Sequence, residues 1–403
     1  MFSKLLYNEY IRITENIVMM GSANIPFESV LKISQLPLNY NPIEGECKKR
    51  LSPGCIDCDT IELTGRDLAL QFFENSKDYT VTFNPLSGTQ ANQMVFNAIL
   101  NPTDNVISFN PFHGGHSSNV DYLKKYFNVH YYGTINRGKI DYDYLQYLIE
   151  KIHPKLVITG ASNYPRFFDF QKISQFCAKD NILLLADIAH TGIYNSLYAN
   201  TSPFMYADFI SLTTHKTTKG PRGAVLYYKT KFEEIMKNSI YKISQCAPRY
   251  TDILAKIAMF SEWGKKNKYE YVTKIQNLSK YFCQYMLNHN EKLYTNGTDI
   301  HLIIIDVSSK DKSAQEIQSD LETINILVDI CQIPNDNCNT FNGLRFGFLM
   351  LASLEYSEED ICEICEMVHI TINSNYNANY LKEKVKDIAI KNSYKIQDFK
   401  KIL

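Results

Sequence analysis

From about residue 60 onward, stretches with helical apolar spacing alternate with short apolar runs of strand character. RDLALQFFENS reads as helix, VTF as a short strand, TQANQMVFNAIL as a helix stopped by Asn101 and Pro102, and VISF as a strand. The alternation continues with helices near 117 to 127 and 141 to 152, the strand LVITG, a helix from about 169 to 180, and the strand ILLLAD. DFISLTT and GAVLYY are two further strands that bracket the segment TTHKTTKGPRGA at 213 to 224. This order predicts an α/β layer built on a mostly parallel sheet, whose ligands gather at the carboxyl ends of the strands.

Past about residue 270 the pattern changes. A helix near 267 to 289 precedes HLIIIDV, the amphipathic stretch AQEIQSDLETIN, GLRFGFLML and a last helix. These form a second, smaller α/β unit. The expected division is an N-terminal arm and interface segment over 1–50, a large domain over 51–265 and a small C-terminal domain over 266–403. There is no internal repeat and no Gly/Ser linker.

With 403 residues and 45% hydrophobic content, the chain is long enough to bury a core of two domains. Basic and acidic residues number 42 and 43, so no charge excess recommends a nucleic acid or an anionic membrane as partner. A small ligand is the expected partner. MFSKLLYNEYIRITENIVMMG lacks the apolar core of a signal peptide, and the longest aliphatic runs are of strand length, which implies a soluble cytoplasmic protein. Ten cysteines in such a chain read as reduced thiols. Two pairs, Cys55/Cys58 and Cys362/Cys365, have zinc-ligand spacing, but the second lies in EEDICEICEMVHI, whose periodicity suits a helix with small buried residues. No metal is expected.

Three polar clusters fall where strands end. In LSGTQAN, the small residues Ser87, Gly88 and Thr89 lead into a helix, and the exposed backbone N–H groups there make either a phosphate cradle or an ordinary helix cap. In LLLADIAHTG, Asp187 closes an apolar strand with His190 three residues on, and a carboxylate in that place requires a cation or strong donors. In TTHKTTKGPRGA, Lys216 follows His215 among four threonines; its amine is a loop charge, a phosphate binder or an attachment point for a carbonyl. A phosphate cradle, an acid for a ring nitrogen and an amine for an aldehyde together match pyridoxal phosphate.

TTHKTTKGPRGA resembles the lysine signature of the serine hydroxymethyltransferases, pyridoxal phosphate enzymes of fold type I with an aspartate aminotransferase-like architecture. LSGTQAN, PFHGGH, ASNYPR, ADIAHTG and NGLRFG are similar to that family's other landmarks, in order, from about Ser22 to Arg345. The resemblance implies that Lys216 carries the cofactor covalently, that His215 helps to position the site, and that Asp187 meets the pyridine nitrogen. It further implies that His116 stacks on the ring, that His190 and Ser162 bond near the phenolic oxygen, and that Ser87, Gly88 and Thr89 hold the phosphate. Arg345 is expected to grip the amino acid carboxylate in a fork with Ser22 as a second contact, and Arg222 to stand behind as a further cation. Glu44 in IEGECKKR matches the family's acid–base glutamate.

The implied chemistry is aldol cleavage and formation between glycine and β-hydroxy-α-amino acids, within one-carbon and amino acid metabolism. The implied assembly is a homodimer or tetramer with shared active sites, since Glu44 and the segment from Gln245 to Arg249 resemble elements that reach into a neighbouring subunit.

The departures concentrate on one partner, tetrahydrofolate. Pro42, Leu51 and Ser52 stand where the family has tyrosines, Cys331 replaces an asparagine and Pro111 a leucine, while Cys246 and Ala247 replace a glycine pair that contributes a cross-subunit phosphate contact. Lost aromatic and hydrogen-bonding partners weaken a pterin site. Three readings follow: a divergent folate-dependent hydroxymethyltransferase, a folate-independent aldolase or transaldolase, and a catalytically silent relative kept for binding. Retention of Lys216, Asp187 and Arg345 speaks against the third.

Overall fold

The structure, a computed structural model, describes residues 2–373 and 376–393. It divides into two compact units: Asn24–Glu270, and Met1–Ala23 together with Tyr271–Leu403.

The larger unit is built on a seven-stranded sheet. Its strands in chain order are β1 (Tyr79–Thr82), β2 (Asn105–Phe109), β3 (Asn128–Tyr132), β4 (Leu156–Thr159), β5 (Leu183–Asp187), β6 (Phe209–Thr213) and β7 (Ala224–Lys229). They lie side by side in the order β1-β7-β6-β5-β4-β2-β3. Only β7 runs against its neighbours. All others are parallel, as the alternating helix and strand pattern predicts. Strands β4 and β6 are buried along their whole length, which is why they read as unbroken apolar runs.

Helices cover the sheet. One face carries Gly88–Ile99, whose Ala91, Met94, Val95 and Phe96 are inaccessible and pack with Leu185, Phe209 and Leu226 of the strands. Ser87 starts this helix: its hydroxyl accepts the Gln90 N–H at 3.0 Å. The helix Tyr250–Lys265 buries Ile253, Met259, Phe260 and Trp263. The strand β3, with the pattern NVHYY, forms one edge of the sheet; mostly half-buried and with polar residues at Asn128 and His130, it gives no continuous apolar run and is not among the strands expected from sequence.

In the smaller unit, Leu302–Asp306, Asp329–Cys331 and Gly343–Gly347 form an antiparallel sheet with Gly343–Gly347 in the middle. The N-terminal segment belongs to this unit, because Ile17–Val18 pairs in parallel with Ile326–Leu327. The Cys362/Cys365 pair lies on the helix Glu358–Asn373, as its spacing predicts, with Cys365 buried and Cys362 exposed. Among the described residues no helix is long and apolar enough to cross a membrane.

Candidate active site

Five polar segments of the larger unit sit at or just past the carboxyl end of a parallel strand: 84–89 after β1, 110–116 after β2, 160–163 after β4, 187–190 at the end of β5 and 214–216 after β6. In a parallel sheet these ends lie along one rim, so the topology alone collects residues far apart in sequence.

Lys216 is buried, and its Nζ lies 2.9 Å from Nε2 of His190. The turn that presents it is held by its own threonines. Thr214 Oγ1 donates to the Pro221 carbonyl at 2.6 Å, and Thr218 Oγ1 to the Thr214 carbonyl at 2.8 Å. Trp263 Nε1 donates to the Thr218 carbonyl at 2.7 Å, and Asn24 Nδ2 to the Lys216 carbonyl at 2.6 Å. Buried carbonyls of a tight turn need such donors, which explains the threonine run physically. Lys219, three residues on, is half-buried, with its ammonium 5.5 Å from the centre of the Phe27 ring. The two lysines therefore have different environments.

His215 has a buried Nδ1 with no hydrogen-bond partner. Burial, helped by the charges of Lys216 and Arg222, pushes its pKa down to about 3, so the ring is neutral at physiological pH. Arg222 itself is exposed.

Asp187 has both oxygens engaged: Oδ2 accepts from Asn92 Nδ2 at 2.9 Å and Oδ1 from the Ala189 N–H at 3.0 Å. Asn92 belongs to the same helix as Gly88 and Thr89, so the cradle and the carboxylate are tied together. Gly160, at φ +146°, makes room for this strand end: a Cβ there would lie 2.2 Å from the Asp187 carbonyl oxygen. A Cβ on Gly88 would lie 2.7 Å from Thr213 Oγ1, which keeps the helix start close against the end of β6.

The segment HGGH turns on its glycines. Gly114 has φ +109°, and its carbonyl accepts the N–H groups of Ser162 and Asn163 at 2.9 and 3.0 Å. Ser162 and the loop carrying His116 are thus joined, with His116 at the start of the helix Ser117–Tyr126. Its neighbour His113 faces elsewhere: Nδ1 accepts the Thr134 N–H at 2.8 Å. Pro111 opens the short turn Pro111–His113, which Asn110 caps.

Glu44 is half-buried on a small hairpin, where its own N–H donates to Ser52 Oγ at 3.0 Å. Arg50 clamps that hairpin by donating to the Ile43 and Gly45 carbonyls at 3.0 and 2.7 Å, and by pairing with Asp59 at 2.9 Å and with Glu62. Leu51 and Pro42 are exposed, as are Cys246 and Ala247. Arg249, also exposed, precedes the helix Tyr250–Lys265 and pairs with Asp252 at 3.4 Å.

In the smaller unit, Arg345 lies opposite Asp329 in the strand register. One oxygen, Asp329 Oδ2, accepts from Arg345 Nε at 3.1 Å, from Arg345 Nη2 at 2.5 Å and from the Gly21 N–H at 2.8 Å. Ser22 follows directly, so the structure brings it to the arginine. Cys331 is buried against Gly343, and burial pushes its thiol pKa up to about 12.

These residues fit pyridoxal phosphate. There is a buried amine for the aldehyde, a fixed carboxylate for the ring nitrogen, and a helix start too close-packed for a side chain at Gly88. A neutral histidine also has an unsatisfied nitrogen. The serine hydroxymethyltransferase family model matches residues 1–368 of the 403. The chain belongs to the serine hydroxymethyltransferase family. It therefore has the fold-type I architecture of that family, whose members are pyridoxal phosphate enzymes.

Against the serine hydroxymethyltransferase pattern, two residues of this chain escaped the sequence reading. Asp329 carried a signal, a lone carboxylate in the apolar run ILVDIC. Lys256 carried another, a lone lysine in DILAKIAMF. Both become interpretable only once their partners are known.

Proposed function

We propose that this chain performs pyridoxal phosphate-dependent aldol chemistry on glycine and β-hydroxy-α-amino acids, in the manner of a serine hydroxymethyltransferase. Serine and tetrahydrofolate would then give glycine and methylene-tetrahydrofolate. The observation that carries this reading is the buried Lys216 amine beside His190, on the same strand rim as the Asp187–Asn92 pair. The cofactor, when bound, supplies an electron sink for the bond broken at the amino acid Cα.

The remaining chemistry falls to the chain's own residues. Lys216 needs its nitrogen lone pair to react, and His190, whose Nε2 lies 2.9 Å from the Lys216 Nζ, orients that amine. Asp187, fixed through both oxygens, would hold a proton on the ring nitrogen. His116 would hold the ring by stacking, and Ser162 and His190 would bond near its phenolic oxygen. Ser87, Gly88 and Thr89 offer backbone N–H groups to the phosphate. Arg345, steadied by Asp329, binds the α-carboxylate with Ser22, and Arg222 adds positive potential. Glu44 exchanges the β-hydroxyl proton of the substrate.

A second reading, a folate-independent aldolase or transaldolase, is favoured by the fate of the substituted positions. Ser52 is engaged with the Glu44 backbone, Leu51 is 78% exposed, and Cys331 packs on a glycine, so none offers a pterin contact within its own unit.

Product analysis of the cofactor-loaded protein tests both. Serine cleavage stimulated by tetrahydrofolate supports the first reading. Cleavage of threonine-like β-hydroxy amino acids that is indifferent to the pterin supports the second. Absence of any cleavage, with no Lys216-dependent absorbance from the cofactor, overturns both.

A further inference from the structure

Lys256 is fully buried on the helix Tyr250–Lys265, and its ammonium meets no carboxylate among the described residues. It donates to two neutral carbonyls, Phe83 at 2.6 Å and Pro85 at 2.8 Å. Both belong to the link between β1 and the helix Gly88–Ile99. The peptide whose carbonyl faces Lys256, that of Pro85, donates its N–H from Leu86 to Gln90 Oε1 at 2.7 Å. Lys256 is thereby connected, through one peptide unit, to the first turn of the helix that starts at Gly88.

The same side chain supports the lysine turn. Gly223 has φ +150°, and a Cβ there would lie 2.6 Å from Lys256 Cε. The N–H of the next residue, Ala224, donates to the Pro85 carbonyl at 3.1 Å, the oxygen that Lys256 also uses. One buried ammonium thus fixes the backbone behind both the cradle and the turn that presents Lys216.

For stability alone, this is a poor use of a buried position. A cation without a paired anion is costly in a protein interior, and an apolar side chain of similar length would pack there without that cost. The two carbonyls offset part of that cost, and an anion close by would offset more of it. We propose that Lys256 is a positioning residue for a phosphate ester, holding the 83–89 backbone so that its N–H groups converge on the anion and adding a buried positive charge behind them. This rests on the pyridoxal phosphate reading given above. Burial lowers the Lys256 pKa to about 7, Asp252 opposing and Arg249 reinforcing the shift, so an arriving dianion would favour the charged amine. His215, Lys216, Lys219 and Arg222 are the charged and titratable groups on the neighbouring turn.

The test compares two ligands that differ only by the phosphate. The cofactor-free protein is titrated with pyridoxal phosphate and with pyridoxal, as wild type, Lys256→Met and Lys256→Arg. Lys256→Met is expected to weaken pyridoxal phosphate by about 10-fold or more, the effect of losing a charge-assisted interaction, while pyridoxal affinity changes by less than about 2-fold. Lys256→Arg keeps most of the phosphate preference. Equal weakening of both ligands, or of neither, overturns the proposal. Failure of wild type to bind either ligand would instead count against the pyridoxal phosphate reading. Should Lys256→Met not fold, wild type decides with sulfate, a dianion throughout the range. Its stabilisation of the cofactor-free protein is expected to fall as pH rises from 6 through 9, and a flat profile overturns the proposal.

Discussion

Two lysines three residues apart, Lys216 and Lys219, show how much a side chain's meaning depends on its burial. The first is buried and meets His190; the second rests on Phe27. Lys216→Ala is therefore expected to abolish the visible absorbance of the bound cofactor, and Lys219→Ala to leave it. Equal loss in both variants, read from the spectra of the purified proteins, would refute that assignment. Lys216 was legible in sequence because a histidine–lysine pair among threonines at a strand end is a dense signal. Asp329 was not, because a carboxylate in a strand is unremarkable until its cross-strand neighbour is known. Here that neighbour is Arg345, whose Nε and Nη2 donors Asp329 engages from one oxygen.

At the scale of elements, the central strands were readable because burial on both faces leaves unbroken apolar runs, whereas the edge strand β3 keeps its polar positions and hides. The hairpin that carries Glu44 is held by something no periodicity reveals, a buried ion cluster. Arg50 and Glu62 are almost inaccessible, with Arg66 as second partner of Glu62 at 2.7 Å and Asp59 as second partner of Arg50. Removing one member leaves a buried charge short of its partner. Arg50→Met is expected to destabilise the larger unit by about 3 kcal/mol and to open the 41–52 segment to proteolysis. Lys237→Ala, which breaks a partly exposed pair with Glu46, is expected to cost under about 1 kcal/mol. Denaturant melts of the two variants check the contrast, and similar losses in both would remove the special role of the cluster.

For the whole molecule, the family implies an oligomer, and a trans-acting Glu44 gives that implication a direct test. Lys216→Ala and Glu44→Gln proteins, each inactive alone, are expected to regain part of the activity when their subunits are mixed and exchanged. No recovery after verified exchange would place Glu44 outside the neighbour's site. The division of the chain also sets a temporal order. Gly21 donates to Asp329 across 308 residues, and Ile17–Val18 finds its strand partner at Ile326–Leu327. At translation rates of ~5–20 residues per second, the first segment waits ~15–60 s for its partner to emerge. Before that interval ends the larger unit, contiguous from Asn24 to Glu270, has its complete sequence available, while the apolar Ile17, Val18 and Met19 still have no partner strand. The contact of Gly21 with the Asp329–Arg345 pair thus forms late in synthesis, long after its N-terminal half has been made.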